Sequence, residues 1–320
     1  MCGILGIVGE CIAEFKHRFS SALDKLSHRG PDDEGIFEYK SVLLGHKRLS
    51  IIDLSKNGKQ PMVDDDYAIV FNGEIYNYRD IREFLISRGV SFYSNSDTEV
   101  LLKGYKQFGV DLLQKLRGMF AFAIYDKKNN ELFLARDRFG KKPLYYTFYK
   151  GVFIFASEIK AILSFFETMP DLDKESVTNY FRYLTPSLDK TIYQGIYQLP
   201  ASCFGILKAN KLKVSRYYNP IDNISKEYTN EKEILDKIEQ KLIEAVELRL
   251  VGDVEVASYL SGGIDSSLVS SIYSRISKKQ IHTFSIGYDE YPEYSELEYA
   301  KITAEYIGSK HHEVIISSKD

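Results

Sequence analysis

The hydrophobic patterning of this chain changes character part-way along, and that change limits the possible folds more than any single motif does. Up to about residue 218 short β-type runs are mixed with a few helical stretches, whereas beyond about 230 strands and helices take turns. Between them NPIDNISKEYTN at 219–230, polar and carrying Pro220, reads as a connector. The expected organisation is a first domain over 1–218, a linker over 219–229 and a second domain over 230–320. In the first, the runs Ile4 to Val8, Val42 to His46, Ala68 to Phe71, Met119 to Tyr125, Glu131 to Ala135 and Gly151 to Ala156 predict strands, several of them rich in β-branched and aromatic residues. DKKNNE at 126–131 and YKG at 149–151 each separate two apolar runs, so adjacent antiparallel hairpins are expected. Tyr78 to Arg88 and Thr98 to Phe108 carry apolar residues at three-and-four spacing, and Gly89 and Gly109 follow where a helix C-terminus favours glycine. This half reads as α+β.

In the second half, Asn230 with Glu233 makes a capped start for a long amphipathic helix bearing Leu235, Ile238, Leu242, Val246 and Leu250. A strand Val254 to Leu260, a helix from Ser266, a strand His282 to Ile286, a helix from Ser295 to Ile307 and a strand His312 to Ile316 follow, an alternation that predicts a parallel α/β sheet. Three strands alone would leave such a sheet an unprotected edge. Lys and Arg number 42 against 45 Asp and Glu, a formal charge of −3, which gives no electrostatic case for nucleic-acid binding. A hydrophobic content of 44% with 27% charged residues excludes wholesale disorder and collagen-like or coiled-coil architectures. No apolar run approaches the ~18 residues of a membrane-spanning helix, so no membrane partner is expected. The opening MCGILGIVGE lacks the basic segment of a secretory signal, and Cys2 stands where myristoylation would need glycine. Three scattered cysteines, Cys2, Cys11 and Cys203, make no disulfide framework, and a cytoplasmic location is expected.

Cys2 is the first candidate for chemistry. Initiator Met is usually trimmed ahead of a small side chain, which would make Cys2 residue one with a free α-amine. Such an amine titrates near ~7.7–8.0 and a thiol near ~8.5, so the amine can serve as general base for its own thiol near neutral pH. Read blandly, Cys2 is a small residue ahead of a buried strand. Further motifs stand in series with it: HRGPDDEG at 28–35, RLSII at 48–52, NGEIYN at 72–77, SDTEV at 96–100 and RDRFGKKPLYY at 136–146. Together with the N-terminal CGI, this series resembles the glutaminase domain of class II, N-terminal-nucleophile glutamine amidotransferases, over essentially the whole first half. The resemblance implies an α-β-β-α sandwich of antiparallel sheets. Cleavage of the glutamine amide passes through a tetrahedral oxyanion, and a strand-ending Asn72-Gly73 can offer it an amide side chain and a close backbone N–H; a plain Asn-Gly turn is the other reading. By resemblance Arg48 grips the substrate α-carboxylate with its planar fork, Glu74 and Asp97 receive the ammonium, and the backbone of Arg48, Leu49, Ser50, Ile51 and Ile52 lines the pocket. Arg48 as a solvated surface charge and Asp97 as a helix cap remain open alternatives. Arg29 and Asp32 are expected to brace the loop beside the nucleophile. No catalytic histidine is required.

The second candidate is SGGIDSS at 261–267, which follows a strand and runs into a helix. Glycines there let backbone N–H groups approach an anion, hydroxyls add donors, and the helix N-terminus contributes its positive end. No Gly-Lys-Ser/Thr follows, so it is not a Walker loop. A ligand-free Ser-Gly turn is the bland alternative. The loop resembles the pyrophosphate loop of ATP pyrophosphatases, formed here by Ser261, Gly262, Gly263, Asp265 and Ser266, and the resemblance puts Asp265 close to a Mg²⁺ on that pyrophosphate. A glutaminase domain followed by this loop, by FSIGY at 284–288 and by AEYIGSKHHE at 304–313, resembles the glutamine-dependent asparagine synthetase family. That implies ATP and Mg²⁺ as cofactors, Leu260 and Ile286 flanking the adenine, and glutamine, ATP and a carboxylate acceptor as partners. Aspartate is the first choice of acceptor and a sugar carboxylate the alternative. Ammonia from glutamine would displace AMP from the adenylated acid. The family's synthetase domain is much longer than 230–320, so a fragment, a truncated product, or one half of a split enzyme with a partner chain is expected; a homodimer stays open. On truncation, a noncatalytic glutamine- or nucleotide-sensing module is the reading from another class.

Overall fold

The computed structural model describes residues 1–186, 189–224, 230–290 and 292–317, so the end of the expected linker, 225–229, lies outside the described residues. The chain forms two compact units, Met1–Ile224 and Ser225–Asp320. The first unit opens with β1 (Gly3–Val8), α1 (Ile12–Asp24), β2 (Asp33–Tyr39), β3 (Val42–Arg48), β4 (Met62–Val63) and β5 (Tyr67–Ile75). Next come α2 (Tyr78–Ser87), α3 (Asp97–Phe108), α4 (Leu112–Lys115), β6 (Gly118–Asp126), β7 (Glu131–Arg136), β8 (Tyr145–Tyr149) and β9 (Val152–Ala156). It closes with α5 (Ile159–Leu163), α6 (Lys174–Tyr183), β10 (Ile196–Gln198), β11 (Cys203–Lys208) and β12 (Lys211–Arg216). One sheet has the order β10-β8-β9-β1-β3-β2 and the other β12-β11-β7-β6-β5-β4, with antiparallel pairs throughout.

The inner strands of both sheets, β1, β3 and β9 in one and β5, β6 and β7 in the other, are buried on both faces, and for this reason they read as nearly continuous apolar runs. Between the sheets, Ile4, Val42, Leu44, Phe153 and Phe155 of the first meet Ala68, Val70, Ala121, Ala123, Leu132 and Leu134 of the second, large rings set against alanine-rich rows. The outer face of the first sheet, with Leu5, Ile7, Leu43 and Ile154, is covered by Phe15, Phe19 and Leu23 of α1 and by Ala161 and Ile162 of α5. Across the outer face of the second, Tyr105 of α3 stacks on Phe133 of β7 at 4.7 Å between ring centroids. The layering is α-β-β-α, as the resemblance implies. Both expected hairpins form, β6 with β7 and β8 with β9. One strand departs from expectation: β5 runs on past Phe71 through Asn72, Gly73 and Glu74 to Ile75, paired with Phe120 and Met119 of β6. Polar residues hold strand positions there because their side chains line a cavity.

The second unit contains α7 (Glu231–Arg249), β13 (Ala257–Tyr259), α8 (Ile264–Ile276), β14 (His282–Tyr288), α9 (Leu297–Ile307) and β15 (Lys310–Ile316), with a parallel sheet of order β13-β14-β15. Asn230 caps α7 through its side-chain oxygen, which accepts from the N–H groups of Lys232 and Glu233. Two expectations need correction. The strand sought over Val254 to Leu260 is confined to three residues, because pairing with β14 starts only at Ala257 opposite His282. Of the apolar stripe on α7, Val246 is buried while Leu235 and Ile238 are at least half exposed. Among the described residues no helix is long and apolar enough to cross a membrane.

Helix α3 starts at a Ser96 cap whose hydroxyl accepts from the Glu99 N–H at 3.2 Å. Ser96→Ala should therefore cost about 1 kcal/mol, lowering the melting temperature of the first unit by about 2–4 °C; an unchanged melting curve would contradict this reading of the cap.

Candidate active site

Strand alternation builds the site. On β3 the row Val42, Leu44, His46, Arg48 faces the second sheet; on β5 the row Ala68, Val70, Asn72, Glu74 faces the first. Cys2 stands two residues before Ile4, on the same inter-sheet side of β1. Each row begins in the apolar core and ends in residues with chemistry, and Cys2, Arg48, Asn72 and Glu74 line one cavity. Leu49, Ile51, Ile52, Gly73 and Asp97 complete the sequence-expected set around it. Ser50 is the exception: it does not line the cavity, and its N–H is held by Asp32 Oδ2 at 2.7 Å.

The Cys2 thiol accepts from the Leu49 N–H at 3.4 Å and donates to the Leu49 carbonyl at 3.6 Å. Burial pushes this thiol above its ordinary pKa and pushes the chain's terminal amine, on Met1, below its own. Arg29 Nε donates to the Cys2 carbonyl at 2.9 Å and its NH1 pairs with Glu158 at 2.8 Å, so Arg29 fixes the backbone at Cys2. Asn72 is fully buried, and neither its Oδ1 nor its Nδ2 has a hydrogen-bond partner among the described residues. A buried amide left unpaired costs ~1–3 kcal/mol, so this one is aimed at something the fold itself does not supply. Gly73 is required by close approach, since a Cβ there would lie 2.1 Å from the Met119 carbonyl oxygen.

Arg48 is buried, not a solvated surface charge. Its guanidinium is turned toward the following loop rather than standing open: NH1 donates to the Ser55 carbonyl at 3.0 Å, and NH2 to the carbonyls of Asp53 and, at 3.5 Å, Ile52. Gly58 leaves room for this, because a Cβ there would sit 2.2 Å from NH2. The second alternative also resolves, since the cap of α3 is Ser96. Asp97 sits in the first turn with Oδ2 accepting from the Ile75 N–H at 3.0 Å. Burial, reinforced by the charge of Glu74, pushes its carboxyl up to about 7.

Sequence reasoning missed six lining residues, Met1 and Phe71 among them. Lys142 is buried with Nζ 3.0 Å from the Met1 sulfur; its motif RDRFGKKPLYY was recognised, but this lysine was given no role. Gln60 and Gly58 also line the cavity with nothing in their local pattern to mark them, and Thr98, inside the recognised SDTEV run, was given no role.

In the second unit Gly262 adopts φ +88, and a Cβ there would lie 2.8 Å from Tyr299 Cβ. Gly263 is the N-cap of α8, a helix with Asp265 in its first turn, and Ser261 and Ser266 share a hydroxyl contact at 2.9 Å. Of the two residues expected to flank an adenine, Ile286 is half exposed, whereas Leu260 is buried against Ala300 and Ala304. Among the described residues no group of three or more His, Cys, Asp or Glu could hold a metal ion. His311 and His312 have different partners, Thr283 at 2.9 Å and His282 at 3.0 Å, as expected of neighbours on opposite sides of a strand.

The glutamine amidotransferase domain model matches residues 1–218. The chain belongs to the glutamine amidotransferase family. The asparagine synthase model matches residues 237–320, and the two together place it in the glutamine-dependent asparagine synthetase family. Asparagine synthetase [glutamine-hydrolyzing] 3 of Bacillus subtilis is 37% identical over 343 residues, covering 100% of this chain and 55% of that protein. Asparagine synthetase [glutamine-hydrolyzing] 1 of the same organism is 35% identical over 333 residues, covering 100% and 51%. The chain thus spans about half the length of these curated relatives. Among solved structures, glutamine phosphoribosylpyrophosphate amidotransferase of B. subtilis, complexed with ADP and GMP, aligns over 97% of this chain and 65% of that one, with TM-score 0.50 and 19% identity, a likeness of fold.

An amidotransferase that buries an acidic group here loses stability to it. The unfolded chain ionises Asp97 near ~3.9, while the folded carboxyl holds its proton up to about 7, so stability falls as pH rises between those values and levels off above the higher one. Asp97→Asn keeps an acceptor for the Ile75 N–H and removes the charge. It should therefore be more stable than wild type by on the order of 2–4 kcal/mol at pH 8 and indistinguishable near pH 4. Thermal melts across that range check this, and a variant no more stable at pH 8 would refute the burial cost.

Proposed function

We propose that the first unit is a glutaminase that releases ammonia for an ATP-dependent amidation. The Cys2 thiol adds to the glutamine amide carbon as the free α-amine takes its proton, and the carbonyl oxygen becomes an oxyanion facing the Asn72 side-chain N–H and the Gly73 N–H. The amine returns the proton to the departing nitrogen, ammonia leaves, and water cleaves the thioester to glutamate. Arg48 attracts the substrate α-carboxylate, and Asp97 with Glu74 holds its ammonium, which offsets the cost of ionising the buried carboxyl. While Met1 is attached, the Cys2 nitrogen is an amide with no basicity, so the mechanism requires its removal. The observation that carries this reading is the unpartnered, fully buried Asn72 amide in the same cavity as Cys2.

The second unit is proposed to bind ATP at Ser261, Gly262, Gly263, Asp265 and Ser266. The left-handed Gly262 backbone, with no room for a Cβ, and the α8 N-terminus at Gly263 suit a loop that presents N–H groups to a pyrophosphate. Asp265 would hold a Mg²⁺ that retains several waters, the arrangement a lone carboxylate favours. ATP supplies an acyl-adenylate of the acceptor, aspartate in our reading, and the amide is released with AMP and pyrophosphate.

Glutamate release from glutamine tests the first half on protein shown by intact mass to lack Met1. Cys2→Ala should abolish it and Asn72→Ala should lower kcat about 10²–10³-fold, with Arg48→Ala raising KM chiefly. Full activity in Cys2→Ala, or in material that keeps Met1, would overturn the mechanism.

A further inference from the structure

Nucleophile and oxyanion donors belong to different sheets: Cys2 precedes β1 of the first, and Asn72 lies on β5 of the second. Their separation depends on how the sheets dock where the apolar core ends. Apolar contacts there are non-directional and tolerate small slides. Hydrogen bonds are directional, and two of them converge on the residue next to Asn72. The Phe71 N–H donates to Gln60 Oε1 at 2.7 Å, and the Phe71 carbonyl accepts from His46 Nε2 at 3.0 Å. Both side chains are buried, His46 completely.

We propose that His46 and Gln60 are positioning residues that clamp β5 at Phe71 and so hold Asn72 and Gly73 at the attack distance from Cys2. The proposal rests on the glutaminase reading above. In the β4–β5 register Met62 faces Ile69, and two further steps bring Gln60 opposite Phe71. Strand β4 begins only at Met62, so a side-chain amide stands in for the missing strand partner. The other end of Gln60 donates to Thr98 Oγ1 at 3.0 Å, one residue from Asp97. His46 crosses from β3, where it pairs with Ile4 of β1, the strand that Cys2 leads into. One line of hydrogen bonds thus runs from the ammonium-side helix through the oxyanion strand to the strand beside the nucleophile. Burial pushes His46 down to about 4, so its ring remains neutral at working pH, with Nε2 bearing the proton it donates.

An oxyanion contact is made in the transition state, so loosening it should lower kcat and leave KM nearly unchanged. Rates per alkylatable Cys2 thiol exclude misfolded protein. His46→Ala should lose up to about 10²-fold in kcat with KM within about twofold, and His46→Gln, whose terminal amide can reach the Phe71 carbonyl, should recover most of it. In an Asn72→Ala background His46→Ala should cost markedly less than it does in the wild type, the remainder being the share carried by the Gly73 N–H. Gln60→Met, which leaves the inter-sheet ring in place, should show the same kcat loss and the same non-additivity even if His46→Ala fails to fold. Additive losses, a loss confined to KM, or no loss overturns the proposal. If Asn72→Ala and Cys2→Ala also retain full activity, the glutaminase reading falls with it; if they are impaired, only the clamp falls.

Discussion

Two sheets packed face to face impose a period of two on every strand, and nearly every feature of the first unit follows from that alternation. The rows that fill the inter-sheet core are the rows that end in the site: Ile4 extends back to Cys2, Val42 and Leu44 lead to His46 and Arg48, and Ala68 and Val70 lead to Asn72 and Glu74. A one-residue slip of any of these strands would exchange a chemical side chain for an apolar one and expose a core residue at once. Registration of the site is therefore enforced by the hydrophobic core, and the placement of its reactive groups needs no separate device beyond the fine adjustment made at Phe71.

The same geometry explains why the site is costly. Where the sandwich runs out of apolar side chains, charged and polar ones remain in a desolvated setting: Asp97 with its carboxyl pushed up to about 7, the Cys2 thiol raised, Lys142 lowered, and Asn72 without a partner among the described residues. Burial is the leading cause of all three shifts. Removing such groups would help the fold and, on the proposed mechanism, harm the chemistry, the trade expected of a functional site. Arg48 is the instructive exception, because it is satisfied internally by the carbonyls of Ile52, Asp53 and Ser55 and uses its charge to shape the loop that forms one wall of the cavity. A charge so held still projects its field into the cavity, but its planar fork is not free to reorganise around a ligand without releasing that loop.

Legibility in the sequence followed how local each signal is. Strand runs, hairpin turns and the Asn230 cap are written within a few residues and were readable as such. Ser96 over Asp97 as the α3 cap was not, since both residue types cap well and only the backbone conformation distinguishes them. The motif series around Cys2 gave the members of the site but not their bonds; nothing in RLSII says that the arginine faces its own downstream loop or that Ser50 points its N–H to Asp32. Gln60 was illegible because its role comes from strand register, which no window of sequence contains, and Thr98, though inside the recognised SDTEV run, shows nothing in sequence of its hydroxyl's bond to Gln60. In the second unit, the periodicity of α7 predicted a buried stripe that Leu235 and Ile238 do not form, because a hydrophobic pattern records what a helix can bury and not what covers it within the described residues.

These constraints meet at Met1. It lines the cavity, its sulfur sits beside the buried Lys142 ammonium, and its peptide bond removes the basicity of the Cys2 nitrogen. On the proposed mechanism a single cleavage therefore makes three changes at one place: it creates the base, it clears a flexible apolar side chain from the substrate cavity, and it takes from Lys142 the Met1 sulfur contact. Burial and, less strongly, the Lys142 charge hold the terminal amine on Met1 below its ordinary pKa, and on the proposed mechanism a cation at that place would repel a protonated Cys2 α-amine in the same sense. On that mechanism the charge that Met1 covers is set beside the group that Met1 blocks, so removal of one residue would expose the proton acceptor and the cation that favours its unprotonated form together.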